Sequence, residues 1–576
     1  MKPLQTQHIA IVGCGPRGLA SLEFLMKHVA LHTKKPIISI HMFDSEPYPG
    51  AGNVWHPEQA ATNRLNSSDR SLQKMEGRSS ITFSTFEIPA FPSFIEWMQT
   101  NHQHTLDDEL DAFLPRKLMG SYLHLRYQSI ANVLIQHNLL TVITSEVKDL
   151  QYRAPHFMIT DSDGNEYSCE ECLLTVGHQP VFDSEEIKTW KWHDEVSEAT
   201  FIAHPYYNEI QKQIDKEDRV GIRGFGLAMI DVVRMLTVGR GGFFSETNDP
   251  LVLTYTPSEA SVSKIVAFSL DGLPLVPKPV GYHVDRYFIP SEAQQGIFEK
   301  DLENLLKKVN ENEVVDVLLK IVSNIAAEHY LKHPTVHATT PLEIIETSCV
   351  AWLKDPTTSH ELILTTHMPP VAYMKAVASM ALGNRAITLD YCIGNVWRHL
   401  QPILYRVLSH STLSPSIMET LIDIDENTKR YSFGPPVAST LELIALAEAG
   451  ILDLRFVNDP KITCEPSGWK LVANEEETRI NCMVNSVLAP PQLKKNCSDL
   501  LVGLQNDGIL QSVTPKLGAK TYKDGTVRTK AVSESLRLSV LGRNSLGSVI
   551  GVDSIRECFG ERVEAWAKGA AERLYG

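Results

Sequence analysis

The sequence predicts a Rossmann-like α/β fold with two dinucleotide-binding βαβ units and an inserted helical region. Three observations carry that expectation. Ile9-Ala10-Ile11-Val12 runs into Gly13-Cys14-Gly15-Pro16-Arg17-Gly18, an apolar strand followed by a glycine-rich turn and a helix. Val220-Gly221-Ile222-Arg223 runs into Gly224-Phe225-Gly226 in the same way. From 295 to 430 apolar residues recur at helical spacing, with Leu302, Leu305, Leu306 and Val309, then Val315, Leu318, Leu319 and Ile321.

Taken in order, residues 8–12 form the first strand and 17–28 the first helix. Residues 37–43 form a second strand that ends at Asp44. A loop rich in proline and glycine follows, from Pro47 to Trp55, and 118–135 suit a helix introduced by Pro115-Arg116. Strands are expected at 140–144 and 157–160, with a turn at Asp161-Ser162-Asp163-Gly164. Residues 171–176 are a buried strand running into Gly177. The second unit has its helix at 227–236 and its next strand at 251–255. Gly434-Pro435-Pro436 marks a rigid return from the helical region to mixed α/β character, because proline there forbids helix continuation. A strand at 536–541 and a helix at 553–574 close the chain. The expected domains are 1–200, 201–294, 295–430 (a lid or substrate region) and 431–576.

In the first turn the glycines permit a tight bend, close approach of backbone to a pyrophosphate, and close helix–strand packing. The helix start then offers unpaired N–H groups and a positive dipole end to the phosphates. Gly13, Gly15, Pro16, Arg17 and Gly18 are therefore candidate cofactor-binding residues. Asp44 is placed to accept hydrogen bonds from a ribose, with Glu46 as the competing acid.

Composition narrows the function further. The chain has 576 residues, 43% hydrophobic and 21% charged, which fits a multidomain globular protein and excludes fibrous or disordered classes. A net charge of −15 lacks the basic excess that nucleic-acid binding demands. No apolar run reaches bilayer-spanning length, so no membrane partner is expected. Nine scattered cysteines are a poor disulfide framework, and the expected compartment is the cytoplasm. A small-molecule substrate is expected, and the oligomeric state is left open.

Several further segments extend the likeness of the first turn to a known family. Gly50-Ala51-Gly52-Asn53-Val54-Trp55 with Leu65-Asn66, Pro115-Arg116-Lys117-Leu118, and Leu174-Thr175-Val176-Gly177-His178 are the internal ones. Val540-Leu541-Gly542-Arg543 and Gly551-Val552-Asp553 lie near the C-terminus. Together they resemble the two-dinucleotide-binding flavoproteins of the FAD/NAD(P)-binding oxidoreductase family, and more distantly the N-hydroxylating and other flavin monooxygenases. The resemblance implies FAD in the first site, with Trp55, Asn66 and Gly177 near it and Gly542 and Asp553 closing over it. Asp553 is equally a helix N-cap candidate. The resemblance also implies hydride transfer from NADPH or NADH to FAD, then passage of electrons to dioxygen and hydroxylation of a small amine or other soft nucleophile. A reductase or dehydrogenase without oxygenation, and a non-catalytic flavin-binding protein, are the alternatives.

The second turn keeps Gly224 and Gly226 but has Met229 where a third small residue would let the helix pack close. It is either a nicotinamide nucleotide site or a vestigial fold kept for packing. Asp231 fits a helix charge as well as a function, and Arg223 and Arg240 fit phosphate contacts or solvated surface. Ser258 and Lys264 favour a 2′-phosphate on the nucleotide, and Glu259 opposes it. Cys169 and Cys172 have redox or zinc-pair spacing without a second pair, so no metal site is expected. His178 and His56 fit an acid–base role, but a hydrogen-bonded structural role is favoured for each, and no catalytic side chain is identified.

Overall fold

The computed structural model describes residues 6–33, 35–107, 109–206, 210–308, 310–337, 339–531 and 536–575. Val309 of the expected helical pattern lies outside them. Two five-stranded parallel sheets form the frame. The first uses β1 (Gln7–Val12), β2 (Ile38–Phe43), β3 (Leu140–Ile143) and β4 (Glu171–Leu174). The second uses β5 (Thr200–Ile202), β6 (Arg219–Arg223), β7 (Lys264–Phe268), β8 (Leu452–Asp453) and β9 (Cys482–Asn485). The late strand β10 (Leu538–Val540) returns to the first sheet. The orders are β10-β4-β1-β2-β3 and β5-β9-β6-β7-β8. In each sheet the strand leading into a glycine turn is central, with its next parallel strand on one side and a distant strand on the other. Ligands bind at such points, beyond the carboxyl ends of the strands.

The strands read as short apolar runs because both faces of each parallel sheet are covered, with helices on one side and a three-stranded antiparallel sheet on the other. The antiparallel strands are Val147–Arg153, His156–Asp161 and Glu166–Cys169 over the first sheet, and Lys461–Glu465, Gly468–Ala473 and Glu476–Ile480 over the second. α1 (Pro16–His32) follows the first turn, and α2 (Arg116–Gln136) precedes β3. α3 (Leu227–Leu236) follows the second turn. Seven longer helices come next: α4 (Glu292–Lys308), α5 (Val314–Lys332), α6 (Leu342–Lys354), α7 (Pro370–Ala381), α8 (Leu389–Leu408), α9 (Pro415–Ser432) and α10 (Val437–Glu448). They lie between β7 and β8, so the helical region is an insertion within the second unit. Its apolar side chains form one continuous core with those of α3, β6 and β7. α11 (Glu561–Tyr575) packs along α1, and Lys27 pairs with Glu564 at 2.9 Å across that contact.

Three expectations change. The strand following α3 in the sheet is β7, at 264–268, not 251–255. Leu253–Thr256 pairs instead with Phe243–Glu246 in a separate hairpin. The reason is burial: the hairpin strands are largely exposed, whereas Ile265, Val266 and Ala267 are fully buried, with Ile265 and Ala267 in the helical core and Val266 against the antiparallel strands at Gly468–Ala473 and Glu476–Ile480. Gly434-Pro435-Pro436 turns the chain into one more helix, α10, before the sheet resumes at β8. The closing helix is broken at Phe559-Gly560 into Ile555–Cys558 and α11.

One charge cluster inside the first domain escaped the sequence reading. Glu23 of α1 is buried and accepts from Arg78 Nη1 at 2.8 Å and from Arg126 Nε and Nη2 at 2.9 and 2.8 Å. Removing the carboxylate strands two buried guanidinium groups. Glu23→Ala is therefore expected to cost about 3–5 kcal/mol, read as a lowered denaturant midpoint for the first domain.

Candidate active site

The two glycine turns are built alike. Gly13 N donates to Phe43 O at the end of β2 (2.8 Å), and Gly224 N donates to Phe268 O at the end of β7 (2.7 Å). On the other side Thr175 Oγ1 donates to Gly13 O at 2.5 Å, and Ser486 Oγ donates to Arg223 O at 2.7 Å. Each first glycine has a positive φ, +93° at Gly13 and +114° at Gly224, which a side chain would oppose. A Cβ at Gly13 would meet Thr175 O at 2.7 Å, and one at Gly18 would meet Gly13 O at 2.2 Å. Those two glycines serve the backbone.

The middle glycines differ. A Cβ at Gly15 would meet nothing nearer than Gly52 Cα at 3.9 Å, and one at Gly226 would meet nothing within 4 Å. Both have ordinary extended backbones. Neither packing nor conformation explains glycine there, but an approaching ligand does. The starts of α1 and α3 carry no side-chain cap and no acidic residue in the first turn. Their first N–H groups, which a helix cannot satisfy internally, are available to phosphate.

Both turns open onto one cavity of about 1670 Å³. Twelve of the fourteen candidate residues line it, and the exceptions are Gly18 and Gly542. Gly542 makes room for another residue: a Cβ there would sit 2.7 Å from Arg17 Nη1. Arg17 Nη2 donates to Val552 O at 3.0 Å, tying the first turn to the C-terminal segment.

Asp44 is drawn inward. Its Oδ2 accepts from Cys14 N at 2.7 Å and its Oδ1 from Glu46 N at 2.9 Å, so the carboxylate braces the turn from behind. Burial pushes its carboxyl up, against those two hydrogen bonds. Glu46 also lines the cavity, as do Trp55, in a short 3-10 turn, and Asn66. Asp553 is an ion-pair partner and not the cap. Ser554 caps the short helix, while Asp553 binds Arg543 and, at 2.8 Å, Lys429. Burial opposes its charge, but Lys429 and Arg543 outweigh burial and hold its carboxyl at about 2. Gly177 has a positive φ of +64°, and its carbonyl accepts from Asn544 Nδ2 at 3.1 Å. His178 faces the cavity, and burial and Arg543 lower its imidazole to about 4 despite Asp553. It is neutral at pH 7 and offers hydrogen bonds, not a proton reservoir.

In the second unit Met229 is fully buried in the apolar core, and the open face of Gly226 is retained. Asp231 accepts from Arg116 at 2.8 Å and from Tyr206 Oη at 3.1 Å, so it joins α3 to α2. Ser258 and Lys264 do not flank the nucleotide position. Lys264 begins β7, at the opposite end from the turn, and pairs with Asp453 at 3.1 Å, while Ser258 Oγ donates to Arg240 O. Ser269, Leu270 and Asp271 occupy the carboxyl end of β7 beside the cavity. Cys14, Cys169 and Cys172 are buried thiols, and burial pushes Cys14 well up. His56 accepts from Glu58 N at 3.2 Å, away from the cavity lining.

The sequence reading missed a cationic wall opposite the turns. Lys278 lies between β7 and the helices, Arg398 and His399 on α8, and Arg556 near the C-terminus. No motif spacing links these positions, which come together only in the folded chain.

The first turn fits FAD. It combines an open glycine face, an uncapped helix start, an acid beside it, and a C-terminal segment drawn in by Arg17. Residues 10–179 match a family model described as FAD-NAD(P)-binding. The chain is 24% identical over 543 residues to a nitrosuccinic acid synthase of Aspergillus oryzae, covering 87% of this chain and 81% of that one. It is 27% identical over 300 residues to a nitrosuccinate-forming L-aspartate N-monooxygenase of Streptomyces cremeus, covering 46% of this chain and 42% of that one. Among solved structures, cyclohexanone monooxygenase with ε-caprolactone bound has a TM-score of 0.44 at 11% identity, covering 99% of this chain and 88% of that one. Among the described residues, no helix is long and apolar enough to cross a membrane. Residues 10–179 are an FAD-NAD(P)-binding domain, and the chain is an FAD- and NAD(P)H-dependent oxidoreductase acting on a small molecule.

Proposed function

We propose that the protein is a monooxygenase that hydroxylates the amino group of an acidic amino acid of the aspartate type, using NADPH or NADH. The observation that carries this reading is the single cavity onto which the open glycine faces of both turns look. The names of the Aspergillus and Streptomyces relatives support the choice of substrate. All nine cysteines are free thiols, which suits a reducing cytoplasm.

FAD, when bound, supplies the relay of electrons from NAD(P)H to dioxygen. The chain's own residues do the rest. Gly15 and the start of α1 receive the flavin pyrophosphate, with Glu46 beside the adenosine side and Asp44 stiffening the turn. Gly226 and the start of α3 receive the nicotinamide dinucleotide, with Ser269–Asp271 at its ribose side. Asp553, held charged between Lys429 and Arg543, fixes the closing segment, and neutral His178 supplies hydrogen bonds. Each turnover consumes one NAD(P)H, one dioxygen and one proton. One oxygen atom enters an N–H bond of the amine to give a hydroxylamine, and the other leaves as water.

The test is aerobic turnover of L-aspartate under isotopically heavy dioxygen, after anaerobic titration with NADPH and NADH. The expected results are bleaching of the flavin without oxygen, and an N-hydroxylated product carrying one heavy oxygen in air. Bleaching followed by hydrogen peroxide alone would leave an NAD(P)H-dependent reductase or oxidase. No bleaching by either nucleotide would leave a flavin-binding protein without turnover.

A further inference from the structure

The cationic wall holds more positive charge than its carboxylates neutralise. Asp285 accepts from Arg398, from His399 Nε2 at 3.0 Å and from Arg70 Nη2 at 3.2 Å. Asp111 is engaged by the same Arg70, through Nε and Nη2 at 2.8 Å each. Both carboxylates are thus committed. What remains is under-partnered: Lys278 Nζ donates to the backbone carbonyl of Asn66, and Arg398 Nε is buried without a partner. Among the described residues, the Arg556 guanidinium has no hydrogen bond or ion pair, and its charged neighbours are Glu557 and Arg398. Glu557 is itself turned to Arg562, at 3.7 Å. His399 stays neutral, because burial and Arg398 lower its imidazole more than Asp285 raises it.

Arg70, Arg398, Arg556 and a partly protonated Lys278 therefore share the cavity wall with Asp111, Asp285 and Glu557. For Arg398, whose Nε is buried and unpartnered, this arrangement is costly unless a ligand brings an anion, and the exposed Arg556 is free to receive one. Resting on the monooxygenase reading above, we propose that Lys278, Arg398 and Arg556 form a clamp for the two carboxylates of a dicarboxylic substrate. Arg398, braced by Asp285, supplies a fixed fork, Arg556 a second guanidinium, and Lys278 a point charge that adjusts to the ligand.

Lys278 gives the clamp a pH signature. The groups facing it are Arg398, Asp285, Arg556 and Asp111, and burial together with Arg398 lowers its ammonium to about 7. A bound dianion favours the charged form, so binding near pH 8 takes up a proton. Affinity for the dianion falls as the pH rises beyond that range.

The experiment uses the FAD-loaded full chain and unreactive acids, succinate against butyrate, by calorimetry in two buffers of different ionisation enthalpy. Wild type should bind succinate at least ~30-fold more tightly than butyrate. Arg556→Met should erase most of that ratio, and Arg556→Lys should recover part of it. Lys278→Met should remove the proton uptake while remaining folded, since it replaces a buried ammonium with an apolar chain. Equal binding of the two acids by wild type, or an unchanged ratio in Arg556→Met, would overturn the clamp. Loss of flavin from Arg556→Met would also overturn it, by assigning that guanidinium to the cofactor. The readout needs no turnover, so a clamp that binds succinate in a chain that oxygenates no amine would sink the monooxygenase reading and spare this one.

Discussion

Gly15→Val should yield a folded protein that has lost its flavin. The backbone at Gly15 is extended, with φ −73° and ψ −169°, a conformation any residue adopts. An added side chain meets no protein atom nearer than 3.9 Å, so it projects into the space where the pyrophosphate must approach. At least two charge-assisted N–H contacts at the start of α1 would be lost, each worth about 1.5–3 kcal/mol. The FAD dissociation constant should rise ~100-fold or more. The check is flavin content per chain, alongside circular dichroism and the unfolding midpoint. Gly18→Ala is the contrasting control. Its Cβ would lie 2.2 Å from Gly13 O, so it should damage the fold itself. If Gly15→Val stays yellow with unchanged FAD affinity, the first turn is not the flavin site.

Gly226→Val should separate the two sites from each other. Its backbone is also extended, with φ −105° and ψ −164°, and no atom lies within 4 Å of the added Cβ. The variant should fold and keep FAD, because the first turn is untouched. Reduction of the flavin by NADPH or NADH should slow, with kcat/KM falling ~100-fold for the same loss of phosphate contacts. Anaerobic stopped-flow bleaching reads this directly, and dithionite should still reduce the flavin fully. Normal reduction by NAD(P)H would mean that the second turn is a packing relic and that the nucleotide docks elsewhere.

The two variants bear on what was legible before folding. Both turns can be read in the chain because strand, glycine turn and helix are contiguous, and contiguous geometry is written locally. Met229 weakened that reading only for the third position. The structure absorbs its side chain into a core while Gly226 stays open, so the substitution alters helix packing without filling the phosphate space. Asp44 was correctly placed at the end of β2, but only the structure shows that its carboxylate accepts from Cys14 N and Glu46 N while both acids line the cavity. The partner of β6 was misplaced by 13 residues, at 251–255 instead of 264–268. Local apolar pattern cannot distinguish a hairpin strand from a sheet strand when burial on both faces decides the outcome.

The amino-acid sequence by itself determined the α/β class, the two dinucleotide turns and the helical insertion. Those features are periodic or contiguous, so short-range sterics and hydrophobic spacing specify them. Only the tertiary structure decided that both turns open onto one cavity, that Arg17 threads past Gly542 to the C-terminal segment, and that Lys278, Arg398 and Arg556 share a wall. Those three cations come from a loop, a helix interior and the C-terminal segment. They meet only where distant segments fold together around the cavity, and no spacing along the chain records that meeting.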